Sequence, residues 1–359
     1  MISSGEAKTY NTLCLSPTKE SLQAGANYLQ AGELVAFPTE TVYGLGADGL
    51  NPQAVKKIFL AKQRPMDNPL ILHIARIQDA FPLCHITPLA LTLMEAFWPG
   101  PLTLLLSKTE KVPSVTTGGL STVALRMPEH PVALELISLA GCPVAAPSAN
   151  RSGRPSPTKA EHVFEDLQGR IPLILNGGSS SIGLESTVLD ISTPTPNIFR
   201  PGAVTYEMLE PYCKNLSVSE SVLAPLAENT YAPSPGMRYK HYAPTGSLTL
   251  VEGKEENVII SCKSLYDKAL QQKKKAAIFS FSEHLSAYGN RYVVDLGSQL
   301  RLDEPAKNLF DALRKMDSEK IDVIFSEVIP PKGLGLAVMN RLGRAAAFHT
   351  IDADYQTNN

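Results

Sequence analysis

Cysteine is scarce: Cys14, Cys84, Cys142, Cys213 and Cys262 stand singly, with no CxxC pair and an odd total of 5. That usage argues against a zinc cluster and against a disulfide framework. No apolar stretch approaches the ~18 residues of a membrane span, so no membrane partner is expected. The polar residues from Met1 to Asn11 hold no apolar h-region, which predicts a chain without a secretory signal and a cytoplasmic protein. On that expectation the sequons at Asn150 and Asn215 carry no meaning. Excess charge of either sign is missing too. Lys+Arg is 33 against 35 Asp+Glu, a net charge of −2, which is not the basic balance of a chain built chiefly to grip nucleic acid. There is no GxxxxGK[ST] loop, which excludes a P-loop site, and no GxSxG elbow, so the familiar hydrolase arrangement lacks support. No internal repeat is visible.

What is present suffices for packed cores: 43% hydrophobic and 19% charged residues over 359 positions, a length that suggests two domains. Apolar residues Leu22, Ala26 and Leu29 fall at helical spacing, with Gly32 as a stop. Residues 34–37 read as a buried strand closed by Pro38. Asn51-Pro52 reads as an N-cap with proline at the first helical position, and Gln63-Arg64-Pro65 ends that helix. Further strands are expected over 70–74, 102–106, 123–125, 144–146, 173–175, 186–191 and 198–199. Helices are expected over 132–139 and from an N-cap at Thr158 to about Leu167. From about residue 210, Pro225, Pro233, Pro235 and Pro244 mark a stiff, extended linker. Beyond it, strands are expected over 248–251, 258–260, 276–281 and 321–325, with helices over 302–316 and 336–344. Alternating strands and helices predict a small open α/β sheet.

Several segments hold more polar residues than turns require. Pro38-Thr39-Glu40-Thr41-Val42-Tyr43-Gly44-Leu45-Gly46 follows a buried strand, where α/β folds bind ligands. Hydroxyls bonding the local backbone are the alternative there. Between Asn51 and Arg76 the bases Lys56, Lys57, Lys62, Arg64 and Arg76 face one acid, Asp67, with Asn68 and His73 nearby. Basic groups suit a helix C-terminus, but the clustering also suits an anionic ligand. A lone histidine on a strand, such as His73, is more often a structural residue than a catalyst. Arg126, ending the strand 123–125, reads either as half of a salt bridge or as a carboxylate-binding group. Ser148 and Asn150 occupy alternate positions after another buried strand, so in extended chain they point the same way. Ser156, the loop Gly177-Gly178-Ser179-Ser180-Ser181 as a weak anion nest, Ser186-Thr187 and Arg200-Pro201-Gly202 complete the candidates.

Taken together and in order, these segments resemble the YrdC-like family of threonylcarbamoyl-AMP synthases. Lys62 and Arg64 with Ser148 and Asn150 match its KxR…SxN signature. The motifs at 38–45, Arg126-Met127-Pro128, Ser186-Thr187-Val188 and Arg200-Pro201-Gly202 match as well. The segment 234–244 and the α/β tail resemble the longer, two-domain members. The resemblance implies a YrdC-like twisted open mixed sheet with helices over 12–209, a linker or lid over 210–245, and a smaller Rossmann-like α/β domain over 246–350. It implies an enzyme joining L-threonine, bicarbonate (as CO2) and ATP into threonylcarbamoyl-AMP with release of pyrophosphate, magnesium accompanying the ATP. The product would pass to a separate tRNA threonylcarbamoyl transferase acting on adenosine 37 of ANN-reading tRNAs; direct tRNA contact is a further expectation. By the same resemblance Thr41, His73, Arg126, Ala146 and Ser186 hold threonine. Arg64, Asn68, Thr122, Ser148, Ser156, Arg200 and Tyr239 (or His241) surround ATP, and Lys62 and Asn150 complete the catalytic signature. No protein metal site is expected. A non-catalytic RNA-binding protein is the rival of another class, opposed by the net charge of −2. An enzyme adenylating a different amine is the second.

Overall fold

A computed structural model describes residues 9–224 and 242–356. The chain forms two compact units. One combines the described residues up to Ser152 with Pro157–Ser180; the other combines Gly153–Ser156 with the described residues from Ser181 onward.

In chain order the first unit contains β1 (Leu13–Leu15), α1 (Lys19–Gln30), β2 (Val35–Phe37), β3 (Gly44–Asp48), α2 (Pro52–Lys62), β4 (Ile71–His73), α3 (Pro88–Phe97), β5 (Leu102–Ser107), β6 (Thr122–Arg126), α4 (Pro131–Ala140), β7 (Val144–Ala145), α5 (Ala160–Leu167) and β8 (Leu173–Leu175). The strands lie in the order β1-β8-β2-β3-β7-β4-β6-β5. Pairing is parallel for β1–β8, β2–β8 and β4–β6, and antiparallel for β2–β3, β3–β7, β4–β7 and β5–β6. This is a mixed sheet with helices, as the resemblance implied. Ala26 and Leu29 of α1 pack with Val132, Ala133, Leu136 and Ile137 of α4 over Val35, Phe37 and Val144, so the helical spacing seen in sequence is the buried face.

Local chemistry sets the ends of α2, which delivers the signature lysine. The Asn51 side chain accepts from the N–H groups of Gln53 (3.0 Å) and Ala54 (3.2 Å), and Pro52 opens the helix. At the other end Gln63 turns left-handed, with φ 55°. Thr158 is not the N-cap of α5, however. The helix starts at Ala160 after Lys159, and the Thr158 N–H donates to His162 Nδ1 (3.3 Å) while Ser180 donates to the Thr158 carbonyl. A buried tertiary contact has displaced the expected cap.

The second unit contains β9 (Thr187–Asp190), β10 (Asn197–Arg200), α6 (Tyr206–Leu209), β11 (Ser217–Val218), β12 (Ser247–Glu252), α7 (Glu255–Gln271), β13 (Ala276–Ser280), β14 (Val293–Asp295), α8 (Asp303–Ser318), β15 (Val323–Glu327), α9 (Leu334–Ala345), β16 (Thr350–Asp352) and α10 (Ala353–Gln356). Strand β10 pairs antiparallel with β9 and parallel with β11. The strands β14-β13-β15-β12-β16 form an all-parallel sheet, the expected small α/β sheet. The strand expected over 258–260 is instead inside α7. Its buried residues Val258, Cys262, Tyr266 and Ala269 recur at helical spacing while Ile260 faces solvent. Three consecutive β-branched residues suggested a strand, but the burial period of the longer segment overrides them.

Candidate active site

Three of the four signature residues, Lys62, Ser148 and Asn150, meet in the first unit. Lys62, 1% exposed at the end of α2, donates to the backbone carbonyls of Ser148 (2.5 Å) and Asn150 (2.5 Å) and to Asn150 Oδ1 (3.2 Å). Ser148 Oγ donates to the same Asn150 oxygen at 2.5 Å. Residues 147–149 lie beside 43–45: Leu45 donates to the Pro147 carbonyl, Ala149 to that of Tyr43, and Gly44 bridges Ser148. The chain bends at Ala149 and Asn150, just past the bridge at Ser148, and there the Asn150 amide meets the Ser148 hydroxyl. The bases over 51–76 have separate partners. Lys57 pairs with Glu33 (3.1 Å) and Arg76 with Asp79 (2.9 Å), and Arg64 Nη2 reaches the Pro69 carbonyl at 3.3 Å. Asn68 is 2% exposed, and neither polar atom of its amide has a hydrogen-bond partner among the described residues. Burying such a group unpaired costs about 1–3 kcal/mol, so the geometry suits a ligand with donor and acceptor edges.

A second group sits where β4 and β6 adjoin. His73 and Arg126 are register partners. Arg126 is buried and donates from Nη2 to Glu40 Oε1 (2.5 Å), from Nη1 to Thr41 Oγ1 (2.9 Å) and from Nε to the Gly100 carbonyl (3.2 Å). Glu40 is thus a partner of Arg126 to which its place in the sequence pointed only as one of three polar residues in a row, Thr39-Glu40-Thr41. The neighbouring hydroxyls divide the two readings of that segment. Thr39 Oγ1 donates to the Val42 carbonyl and accepts from the Thr41 and Val42 N–H groups, a local backbone role, while Thr41 reaches Arg126. His73 is buried, and burial first and the Arg126 charge second lower its pKa to about 3. Its imidazole is therefore neutral near pH 7, with Nδ1 lacking a hydrogen-bond partner among the described residues. Ala146 is buried, and its N–H donates to the Ile71 carbonyl. Thr122 opens the strand that Arg126 closes, about 13 Å away at ~3.3 Å per residue.

Two of the backbone donors in the loop 177–181 are engaged within the protein. The Gly178 N–H bonds Asn176 Oδ1 (3.1 Å), the Ser180 N–H bonds the Thr158 carbonyl, and Tyr43 donates to the Gly178 carbonyl at 2.6 Å. The loop supports the 38–46 segment instead.

In the second unit Arg200 is buried and donates from Nε to the Ser186 carbonyl (3.0 Å) and from Nη2 to Ser186 Oγ (3.1 Å). A Cβ on Gly202 would stand 2.4 Å from the Thr187 nitrogen, so this approach needs glycine. Ser156 is fully buried and donates to Glu185 Oε1; Glu185 Oε2 pairs with Arg341 Nε at 2.9 Å. Neither Glu185 nor Arg341 was singled out in the sequence. Burial pushes the Glu185 carboxyl up, but the charges of Arg341 and Arg200 and the Ser156 hydrogen bond bring it net below its ordinary value. Tyr239 and His241 lie outside the described residues.

A family described as "Telomere recombination" matches residues 27–202, and one described as "Threonylcarbamoyl-AMP synthase, C-terminal domain" matches 204–347. The chain is 46% identical to a threonylcarbamoyl-AMP synthase of Pyrococcus abyssi, covering 92% of this chain and 95% of that protein. It is 46% identical to one of Bacillus subtilis over 94% of this chain and 96% of that protein. The crystal structure of P. abyssi Sua5 complexed with L-threonine superimposes with a TM-score of 0.88 at 45% identity, covering 95% of this chain and 98% of that one.

Proposed function

The chain belongs to the threonylcarbamoyl-AMP synthase family in its two-domain Sua5 form, and from that membership we propose how its residues carry out the reaction. The protein is an enzyme that makes threonylcarbamoyl-AMP for tRNA modification. Within that activity, the amine of threonine takes up CO2 supplied by bicarbonate to form a carbamate. A carbamate oxygen attacks the α-phosphorus of ATP, the bond to the β-phosphate oxygen breaks, and pyrophosphate leaves. No enzyme nucleophile is needed, so catalysis rests on positioning and charge neutralisation.

The observation that carries the site assignment is the closure of the signature. One ammonium at Lys62 joins Ser148 and Asn150 across 86 and 88 residues of chain. In this reading Arg126 receives the threonine carboxylate, with Thr41 beside it and Ser186 as a further contact. Neutral His73 offers Nδ1 to threonine without adding positive charge next to Arg126. The orphaned amide of Asn68, with Arg64, Thr122, Ser148, Ser156 and Arg200, serves ATP. Among the described residues no group of three or more His, Cys, Asp or Glu side chains could hold a metal. Magnesium is read as entering with ATP, held by phosphate oxygens and water.

The proposed division is a catalytic domain over 12–209, a Pro-rich linker over 210–245 and an α/β domain over 246–350. The product goes to a tRNA threonylcarbamoyl transferase acting at adenosine 37 of ANN-reading tRNAs. No helix among the described residues is long and apolar enough to cross a membrane, and the reaction is assigned to the cytoplasm.

Pyrophosphate release measured with ATP, magnesium, L-threonine and bicarbonate, each omitted in turn, tests this reading. Release should require both threonine and bicarbonate. Release with serine but not threonine would reassign the amine substrate, and tRNA binding with no release in any mixture would leave the signature as a phosphate grip.

A further inference from the structure

Arg341 lies on α9, beyond the linker, yet its hydrogen bonds go to the segments that carry site residues of the second unit. It is fully buried. Its Nε donates to Glu185 Oε2 (2.9 Å), Nη2 to the Glu185 carbonyl (3.1 Å), and Nη1 to the Pro201 carbonyl (2.7 Å) and Asn340 Oδ1 (2.9 Å). Glu185 and Pro201 are the chain neighbours of Ser186 and Arg200, which bond each other. The remaining Glu185 oxygen accepts the hydroxyl of Ser156. Arg341 also lies 5.9 Å from the centroid of the buried Tyr242 ring. A buried ion pair is weak evidence for stability, because desolvation offsets most of its attraction. What a planar guanidinium supplies, and lysine cannot, is a fixed fork holding several acceptors in one geometry.

We propose that Arg341 is a positioning residue for adenylation: through Glu185 it fixes the hydroxyl of Ser156, and through the carbonyls of Glu185 and Pro201 it fixes Ser186 and Arg200. The inference rests on the assignment of those three residues to the substrates. It gives the α/β domain a share in building the site, because α9 follows β15 of the parallel sheet and brings Arg341 with it.

The test uses the full chain with Arg341→Lys, Ser156→Ala, the double variant and Arg200→Lys, read by pyrophosphate release and thermal melting. Arg341→Lys should raise KM for ATP about tenfold, the size of one lost charge-assisted hydrogen bond, with a smaller change in kcat. The double variant should raise KM by less than the product of the two single effects, since both act through Glu185. Should Arg341→Lys not fold, the paired change Glu185→Gln with Arg341→Met leaves no lone buried charge, and its KM is read against the same expectation. A lowered melting temperature with KM for ATP and threonine unchanged would make Arg341 purely structural and overturn the proposal; so would strictly multiplicative effects. If Ser156→Ala and Arg200→Lys raise KM while Arg341→Lys does not, this inference alone fails. If neither raises it, the substrate assignment has failed and the inference falls with it.

Discussion

His73 shows what burial beside a cation does to a titrating group. Its pKa is lowered to about 3, first by desolvation and then by Arg126, against ~6.5 for an unfolded histidine. As pH falls below about 6.5 the unfolded chain binds a proton that the folded chain refuses, so stability is lost progressively down to the folded pKa. The ring resonances of His73 should therefore stay flat from about pH 8 to about pH 5 in an NMR titration. A midpoint near the unfolded value would mean that the imidazole is charged beside Arg126. Glu40 and Thr41 show a second residue-scale effect. Each engages Arg126, and together with the Gly100 carbonyl they fix the plane of its guanidinium.

Among the elements, α2 connects a local signal to the site. Its Asn51 cap and Pro52 start were legible in sequence, and its last residue is the lysine that ties down 148–150. Asn51→Ala should cost about 1 kcal/mol of stability in denaturant titration. KM for ATP should stay within about twofold, because the cap lies at the opposite end of the helix from Lys62. A large KM change with unaltered stability would show that the cap controls the position of Lys62 rather than the helix. The misread 258–260 belongs to this scale too: a short apolar run fits a strand or a helix, and only the wider period, Val258 to Ala269, separates them.

For the molecule as a whole, histidines in the two units give opposite pH dependences. Burial lowers the pKa of His284, but hydrogen bonding and charge from Glu327, with Glu255 and Glu283, raise it above the ordinary value. Its Nδ1 lies 2.6 Å from the buried Glu327 carboxylate, which Ser280 and Tyr288 also bond. A raised folded pKa gives stability that is full below the unfolded value and lost as pH rises through the folded one. His284→Gln should therefore cost more in melting temperature at about pH 5.5 than at about pH 8.5. A cost independent of pH would show that the pair contributes by packing alone.

The sequence by itself determined most of the short buried strands, the caps of α2 and, through KxR…SxN and its companion motifs, the family. Each depends on neighbouring residues or on a fixed order along the chain. It could not say which polar residues would meet. Arg126 read either as half of a salt bridge or as a carboxylate grip, and the structure pairs it with Glu40 while bringing Thr41 and His73 to its side. The cluster over 51–76 read as one basic group, and folding separates it into surface ion pairs and a buried lysine. Arg341 and Glu185 gave no signal because they lie 156 residues apart. Two such charges acquire meaning only when the fold removes water from both and leaves each the other as partner. Tertiary structure alone decides that.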